Sequence, residues 1–474
     1  MKKKLVFPLV LICAAAASAQ MHQQGQPGAA ANPAQQTGPE VPVPNLLQET
    51  ANRPAMRLEQ FKQFALAANP TLRQADALVR ESAGQARQAG LWPNPTVGYE
   101  GAEIRGGSFH GGEQGAFVQQ TFVLGGKLGL RRNVFKQQQR EDQISVNEQR
   151  ARVLSSVEQS FYTALAAQEL VKVRRRLLEL TKDAVVTAHQ LANIGQADTP
   201  DVLQAAVEQE QAIVDYTTAQ RSYIRDFRAL AALVAKPDLP LAPLAGNLEQ
   251  PPAIDPKQII GHILQESPSV KRAQQEIVRT KAEIKSAKRE RVPDLSIRAG
   301  LEQNFEPVNE LAGRPVGVQG FVTAGVTLPI FNRNQGNLRA AAADRERAQA
   351  ELSRVRLSIR RSAEALLQQY LSSLAEADRY KKEMIPLATR AYQLYLTKYR
   401  QMGAAYPEVL VSQRTLFQLQ AAYILALQNV WTNAVALQNY TLSGGLAAAM
   451  PSGSTSTTLN PPASGSGGIT LPLQ

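Results

Sequence analysis

The sequence contains very little cysteine and histidine, the residues that form disulfides and many metal sites and nucleophilic active sites. Its 474 residues include one cysteine, Cys13, and four histidines. Cys13 lies within a predicted cleaved leader, so we expect no cysteine in the mature chain for disulfides, thiolate metal sites or nucleophiles. The histidines are scattered, at His22, His110, His189 and His262. Because metal sites need clustered ligands, we predict no metal site and no cofactor.

Long apolar runs are absent after the first twenty residues. A basic start at Lys2 to Lys4, an apolar run from Leu5 to Ala17 and the small residues Ala17-Ser18-Ala19 predict a secretory signal peptide over residues 1–19. No later segment approaches the roughly 18 consecutive apolar residues of a membrane-spanning helix. A membrane location would therefore require strands.

Concentrated charge and recognisable catalytic motifs are lacking as well. The formal net charge of +12 is spread along the chain, and runs such as Arg174-Arg175-Arg176 lack interleaved aromatics, so we predict solvated helix faces and no nucleic-acid partner. Gly125-Gly126-Lys127 is no phosphate loop, because Thr121 replaces the first glycine and Leu128 replaces Ser or Thr. We predict that the protein is not an enzyme.

The sequence does contain an internal duplication. Asn69-Pro70 is followed 198 residues later by Ser267-Pro268. Gln120 to Arg131 aligns with Leu328 to Arg339 at a spacing of 208 residues. The ten-residue change in spacing falls within a predicted strand hairpin, and from Asp201 and Glu408 onward the spacing is 207 residues. Loops absorb insertions that packed elements do not. The repeat is therefore structural.

Each copy is predicted to contain two very long helices. Residues 126–193 contain no proline, and a helix of that length is on the order of 100 Å long. Apolar or small residues alternate three and four apart at 170, 173, 177, 180, 184, 187 and 191, which predicts a coiled-coil seam. The second copy is predicted to form the corresponding two helices, over 334–402 and 407–442.

These patterns divide the chain into six segments. The segments are a signal peptide (1–19), a disordered leader (20–53), a first repeat (54–235), a proline-rich linker (236–255), a second repeat (256–445) and a disordered tail (446–474). The leader and tail are rich in small and polar residues and in proline, which favours disorder.

Four short segments break the helical pattern, near 96–105, 115–123, 295–302 and 320–328. In the second pair, apolar Ile297 and Val326 alternate with polar Ser296 and Thr327, as in strands with two different faces. The sheet could be a small soluble sheet beside a helical bundle. However, four strands alone leave open edges, whereas several chains together could close a barrel. The long helices likewise need neighbouring subunits to bury their seams.

At this point the chain resembles the TolC family of outer-membrane efflux proteins. The resemblance spans roughly 58–445 and is carried by four motifs: Ala67-Ala68-Asn69-Pro70-Thr71-Leu72, Trp92-Pro93-Asn94-Pro95, Gln120-Thr121-Phe122 with Gly125-Gly126-Lys127, and Leu328-Pro329-Ile330-Phe331-Asn332-Arg333-Asn334-Gln335-Gly336. The last motif is similar to the cobalt-zinc-cadmium and copper-silver branch. The resemblance implies a homotrimer whose three chains form one twelve-stranded β-barrel in outer-membrane lipid, continuous with a long α-helical barrel in the periplasm.

The resemblance also implies partners and a functional site. The expected function is passive conduction of metal ions or drugs from an inner-membrane efflux pump and a periplasmic membrane-fusion adaptor to the exterior. The expected gate or adaptor contacts lie at the two helical hairpin tips, in Asn193, Gly195, Asp198, Asp201, Arg400, Gly403, Tyr406 and Glu408. The acidic residues could instead only cap or complement helix N-termini. The alternative functions are a type I protein secretion channel and a soluble periplasmic coiled-coil scaffold.

Overall fold

The computed structural model describes residues 52–104, 111–195, 197–307, 313–401 and 405–448. The predicted signal peptide, almost all of the predicted leader and tail, and Gly403 lie outside these ranges. In the described residues, no helix is both long and apolar enough to cross a membrane. The same ranges contain no cluster of three or more His, Cys, Asp or Glu side chains placed to hold a metal ion.

The elements follow one another in the same order twice. The helices are α1 (Leu58–Ala68), α2 (Pro70–Gln88), α3 (Lys127–Asn193), α4 (Thr199–Leu233), α5 (Ile259–Glu266), α6 (Pro268–Arg289), α7 (Gln335–Arg379), α8 (Ile385–Arg400) and α9 (Tyr406–Gln438). The strands are β1 (Met56–Arg57), β2 (Thr96–Ala102), β3 (Glu113–Phe122), β4 (Leu244–Ala245), β5 (Leu295–Pro307) and β6 (Pro315–Val326).

The helix starts confirm the internal duplication at the level of single residues. Gly126 and Asn334, which are 208 residues apart, precede α3 and α7 and both have left-handed backbone conformations, with φ of 68° and 59°. Asn69 and Ser267 likewise precede α2 and α6. The two copies therefore enter their long helices through the same backbone geometry.

The second long helix differs from its prediction. Instead of one helix over 334–402, α7 ends at Arg379 and a π-helical turn, Tyr380–Met384, joins it to α8. The N–H of Ile385 donates to the carbonyl of Tyr380, five residues earlier. Pro386 explains the wider turn, because proline lacks an N–H and its ring clashes with the carbonyl four residues before it.

Within one chain, α3 buries a stripe that lies one residue beyond the predicted seam. Over residues 170–191, the residues that α3 buries within the chain are Val171, Leu178, Thr181 and Ala188, each one position beyond a predicted seam residue. The predicted positions are half-buried or exposed instead. Neighbouring stripes of α3 are both rich in apolar residues. The packing of α4 against α3 determines which of them is buried within one chain.

The stretch predicted as a linker is packed against the helices. Its strand β4 pairs in parallel with β1. The hydroxyl of Tyr223 donates to the carbonyl of Ala242 at 2.7 Å, and that of Tyr370 donates to the carbonyl of Pro252 at 3.0 Å. These contacts anchor the segment to both copies, to α4 in the first and α7 in the second.

The Asn-Pro-Thr motif before α2 joins the two ends of the folded chain. The side chain of Asn69 accepts a hydrogen bond from the N–H of Thr71 at 2.9 Å. The hydroxyl of Thr71 lies 3.3 Å from the carbonyl oxygen of Gly445, and the N–H of Gly445 donates to Ser156 at 2.9 Å. The motif therefore caps a helix and also binds the end of the second copy.

Candidate functional site at the sheet and the helical tips

The four longer strands form one antiparallel sheet in the order β2-β3-β5-β6. The pairing of β3 with β5 joins the hairpin of the first copy to the hairpin of the second. Strands β2 and β6 are the two edges, and the order leaves each with one partner. Edge strands expose unpaired N–H and C=O groups, so this sheet is suited to continue into another sheet.

One face of the sheet is apolar and exposed. Val97 is 72% exposed, Val318 73% and Val322 77%. The register places Val97 opposite Val118, and Ala299 opposite Val322. Such a continuous apolar face is unfavourable in water and suited to lipid.

The opposite face carries a polar group built around Arg298. Its guanidinium forms an ion pair with Glu100 and stacks on Phe117, 3.9 Å from the ring centroid. The ring of Phe117 lies over Gly98, where an added Cβ would come within 2.6 Å of it. A larger residue at Gly98 would therefore have to displace the Phe117 ring. The two faces differ in character as the alternation predicted.

Ser296 and Ile297 lie in β5, and Val326 is the last residue of β6, within the segments predicted as strands. The hydroxyl of Ser296 lies 3.2 Å from the carbonyl oxygen of Gly325, so Ser296 faces away from the apolar side. Ile297 is half-buried and Val326 is 50% exposed. Thr327 lies one residue beyond β6, which ends at Val326.

At the other end of the molecule, the helical hairpin tips pack against each other. The tip cluster, as we define it, has a buried core of Ala188, Ala205, Tyr406 and Leu410 and a half-buried rim of Ala184, Val185, Val202 and Tyr399. These residues come from α3, α4, α8 and α9. The α3–α4 tip and the α8–α9 tip are therefore held together by apolar contacts.

Tyr406 is part of this core. It is 7% exposed, and its ring centroid lies 5.3 Å from that of Tyr399. Burial raises the pKa of the Tyr406 hydroxyl, and this hydroxyl makes no hydrogen bond within the described part of the chain. Within one chain, Tyr406 thus packs between the two tips, whereas the other candidate residues that the structure describes lie nearer the surface.

The predicted charged residues surround the tip cluster. Asp198 directly precedes α4 and is exposed, and its side chain makes no capping hydrogen bond. Asp201 and Glu408 lie in the first turns of α4 and α9, where the helix dipole favours negative charge. Arg400 is the exposed last residue of α8, and the helix dipole favours positive charge there.

The remaining tip residues lie in the turns. Asn193 ends α3 and is exposed. Gly195 is also exposed and has a φ of 73°, a left-handed conformation that favours glycine. Among the described residues, no ion pair joins the four predicted tip charges within one chain. Those charges are thus available for contacts outside the chain.

Sequence reasoning missed one charge pair close to the tips. Arg414 of α9 lies 3.6 Å from Glu208 of α4. Each residue is about two turns from the start of its helix, and the two starts correspond in the duplication. The sequence signal for this pair is two opposite charges at about the same distance from the two corresponding helix starts. The pair links the two hairpins just above the tip cluster.

A protein-family model described as "Outer membrane efflux protein" matches residues 62–236 and 259–442, one match in each copy. The chain belongs to this family. The efflux protein is 27% identical over 369 residues to the cobalt-zinc-cadmium resistance protein CzcC of Cupriavidus metallidurans, covering 78% of this chain and 86% of CzcC. It is 28% identical over 313 residues to the nickel-cobalt-cadmium resistance protein NccC of Alcaligenes xylosoxydans xylosoxydans, covering 64% and 68%.

Solved structures show the same fold. The crystal structure of CusC superposes with a TM-score of 0.68 at 18% identity, covering 82% of this chain and 92% of CusC. The outer membrane protein VceC of Vibrio cholerae superposes with a TM-score of 0.66 at 17% identity, covering 82% and 96%. The efflux protein therefore has the TolC-like fold, with a β-domain in the outer membrane and a periplasmic helical barrel.

Family and fold together give the function. The efflux protein is an outer-membrane channel that serves export. The exposed apolar face of the sheet is suited to contact outer-membrane lipid. The soluble scaffold that the sequence left open as an alternative is thereby excluded.

Proposed function

We propose that the efflux protein is a homotrimer that passively conducts divalent transition-metal ions out of the cell. An inner-membrane pump and a periplasmic membrane-fusion adaptor would supply the ions and the energy. The sheet's two edges support the assembly, because lipid does not tolerate open edges. Three chains with four strands each would close a barrel of about twelve strands, within the range of known barrels.

The proposed cargo rests on the similar proteins. CzcC is named for resistance to cobalt, zinc and cadmium, and NccC for nickel, cobalt and cadmium. An outer-membrane protein of Pseudomonas putida named for toluene efflux, TtgC, is also similar, at 25% identity over 57% of this chain. The metal-resistance proteins match longer parts of the chain, and this observation favours metal ions over drugs.

A complementation experiment tests the cargo. A strain that retains the matching pump and adaptor but lacks this channel is expected to regain growth in zinc, cobalt and cadmium when the gene is restored. Tolerance to toluene and bulky antibiotics should not change. Restored drug tolerance without restored metal tolerance would replace the metal proposal with a drug channel.

We further propose that the tips close the pore and receive the adaptor. Long helices that converge at the tips would bring three copies of Asp198, Asp201, Arg400 and Glu408 together at a narrow point. Asn193, Gly195 and Gly403 would contact the adaptor. The exposure of Asp198, Arg400 and Glu408 supports this role, as does the lack of ion pairs among the four charges within one chain.

Single alanine variants of these four charged residues test the gate. Each is expected to raise the conductance of the closed channel in planar bilayers, because an ion pair between chains is lost. Loss of a helix cap alone would cost about 1 kcal/mol and leave conductance unchanged. Glu210→Ala, an exposed carboxylate farther along α4, is the matched control. If all four variants conduct like this control, the gate assignment is wrong.

A further inference from the structure

Four junctions between strands and helices lie at one end of the sheet. The register pairs Phe122 with Leu295 and Leu295 with Val326, so β3 and β6 end where β5 begins. Helices α3 and α7 follow β3 and β6, whereas α2 and α6 precede β2 and β5. The ends of all four helices therefore meet this edge. Because the helices are periplasmic, the edge lies at the periplasmic leaflet of the outer membrane.

Apolar side chains stay exposed up to this edge. Trp92, just before β2, is 56% exposed, and Leu328, just after β6, is 65% exposed. The ring of Trp92 packs edge-on against that of Phe122, with 6.3 Å between the centroids. Tryptophan is enriched where membrane hydrocarbon meets the polar headgroups. This end of the sheet is thus suited to the interface of a bilayer.

Basic side chains come next along the molecule. The basic collar, as we define it, consists of Lys285, Lys288 and Arg289 near the end of α6 and Arg291 before β5. All four are exposed. Within the described part of the chain, none of these side chains forms an ion pair or a hydrogen bond.

The carboxylates beside the collar are already paired. Glu290 accepts two hydrogen bonds from Arg131, at 2.9 and 2.8 Å. Asp294 lies 2.6 Å from Lys127. These acidic residues are therefore taken up by the start of α3, and the collar keeps its positive charge for an anion outside the chain.

The junction itself does not require the collar, because the first copy makes the same junction without it. The counterparts 198 residues earlier are Arg87, Gly90, Leu91 and Pro93. The dipole of α6 favours positive charge in the last helical turn, which accounts for Lys288 and Arg289. It does not account for Lys285, one turn earlier, or for Arg291, beyond the helix.

The collar lysines, Lys285 and Lys288, lie on the outer side of the helical layer. At about 100° per residue, Arg279 and Glu276 occupy the opposite half of α6. Arg279 lies 3.3 Å from Glu141 of α3, and Glu276 contacts α7. Both neighbouring helices thus pack on that half, so the layer is concave towards it. The concave side of a barrel faces the lumen, and the collar lysines therefore face outwards.

We propose that the basic collar binds the phosphate groups of anionic phospholipids in the periplasmic leaflet. The apolar sheet face, Trp92 and the collar follow one another in the order of hydrocarbon, interface and headgroups. Lys285 and Arg289 are about 6 Å apart along the helix axis, and the headgroup region of one leaflet is about 5–8 Å deep. Clusters of four or more basic residues beside a membrane-spanning segment attract anionic lipid. This binding is additional to conduction and does not depend on the cargo.

Tryptophan quenching in lipid vesicles tests the proposal with the full-length protein. The chain has two tryptophans. Trp92 lies within about 10 Å of the collar, because only β3 separates β2 from β5. Trp431 stacks on Tyr162, which lies about 50 Å along α3 from the sheet, so it gives a constant unquenched background. Vesicles that mix phosphatidylglycerol and phosphatidylcholine, with either one brominated, report which lipid occupies the surface beside Trp92.

The wild-type protein is expected to prefer phosphatidylglycerol at least about fivefold at low salt, the effect of one basic residue near an anionic surface. The preference should fall in 1 M salt, where charges are screened beyond about 3 Å. The collar variant carries Lys285→Gln, Lys288→Gln and Arg291→Gln. The matched control variant carries Arg176→Gln, Lys182→Gln and Arg390→Gln, three exposed basic residues at least about 70 Å along the helices from the sheet.

Loss of the preference in the collar variant, with the preference kept in the control variant, supports the proposal. Quenching by brominated phosphatidylcholine in both variants shows that they are inserted. A wild-type protein without preference overturns the proposal, as does a collar variant that keeps it or a control variant that loses it equally. Absence of quenching by either lipid in the wild-type protein would place Trp92 outside the bilayer and overturn it as well.

Discussion

Replacing Val322 by arginine is expected to destabilise the membrane-inserted efflux protein by about 2–4 kcal/mol if the site lies near the bilayer midplane. Val322 is 77% exposed on the apolar face of the sheet. An arginine there would place a charge in hydrocarbon. The measurement is the free energy of unfolding from lipid vesicles in urea, together with the amount of protein inserted in outer membranes.

The neighbouring residue provides the matched control. Thr323 lies in the same strand and pairs with Arg298, so it belongs to the opposite face. Thr323→Arg has the same depth and the same added charge, and we expect it to insert normally. The same contrast is expected for Ile297→Arg against Ser296→Arg. Equal losses on both faces would show that the exposed valines do not face lipid.

Replacing Arg279 by methionine is expected to cost about 3–5 kcal/mol of stability, because it leaves the buried carboxylate of Glu141 without its partner. Arg279 lies 3.3 Å from Glu141, 3.7 Å from Glu276 and 2.5 Å from Glu283. The side chains of Arg279 and Glu141 are 7% and 5% exposed. Thermal unfolding of the purified protein in detergent, followed by circular dichroism, measures the loss.

The loss is expected to depend on pH in a defined direction. Burial raises the pKa of Glu141 from 4.5 to about 7, and the neighbouring Arg279 opposes this shift. The folded protein then binds more protons at Glu141 than the unfolded chain between pH 4.5 and 7, so this group lowers stability as pH rises through that window. The cost of Arg279→Met should be largest above pH 7, where Glu141 is charged, and smaller near pH 5.

Two further variants separate the charge from the side-chain volume. Glu141→Gln should remove this part of the pH dependence while keeping the shape of the side chain. Arg347→Met removes an arginine that is 45% exposed and 3.4 Å from Glu276, and exposed pairs contribute at most about 1 kcal/mol. If Arg279→Met costs no more than Arg347→Met at pH 8, the buried arginine is not needed to neutralise its carboxylates.

Much of the fold could be predicted because its signals are local. Proline and glycine mark the helix ends at Pro70, Gly195 and Pro200, and the strands β2, β3, β5 and β6 overlap the four predicted segments. Alternation along β5 and β6 separated the apolar from the polar face, since successive side chains in a strand point to opposite sides. The wider turn before Pro386 was also local, but it was overlooked within an otherwise continuous helical pattern.

The candidate site was predicted only in part. The turns at the tips follow from Gly195 and from the helix starts, and the first-turn positions of Asp201 and Glu408 follow from sequence spacing. The burial of Tyr406 does not, because it requires α3, α4, α8 and α9 to meet. A tyrosine beside a turn has no local property that distinguishes a core position from a surface contact.

The sequence by itself determined the duplication, the length of α3, the two-faced strands and the scarcity of cysteine and histidine, because spacing and composition are properties of the chain alone. Only the tertiary structure decided which stripe of α3 is buried within one chain, how the segment from 236 to 255 packs, and that Tyr406 lies in the tip cluster. Adjacent stripes on a helix have similar composition, and the small free-energy difference between burying one or the other depends on the helix that packs against them.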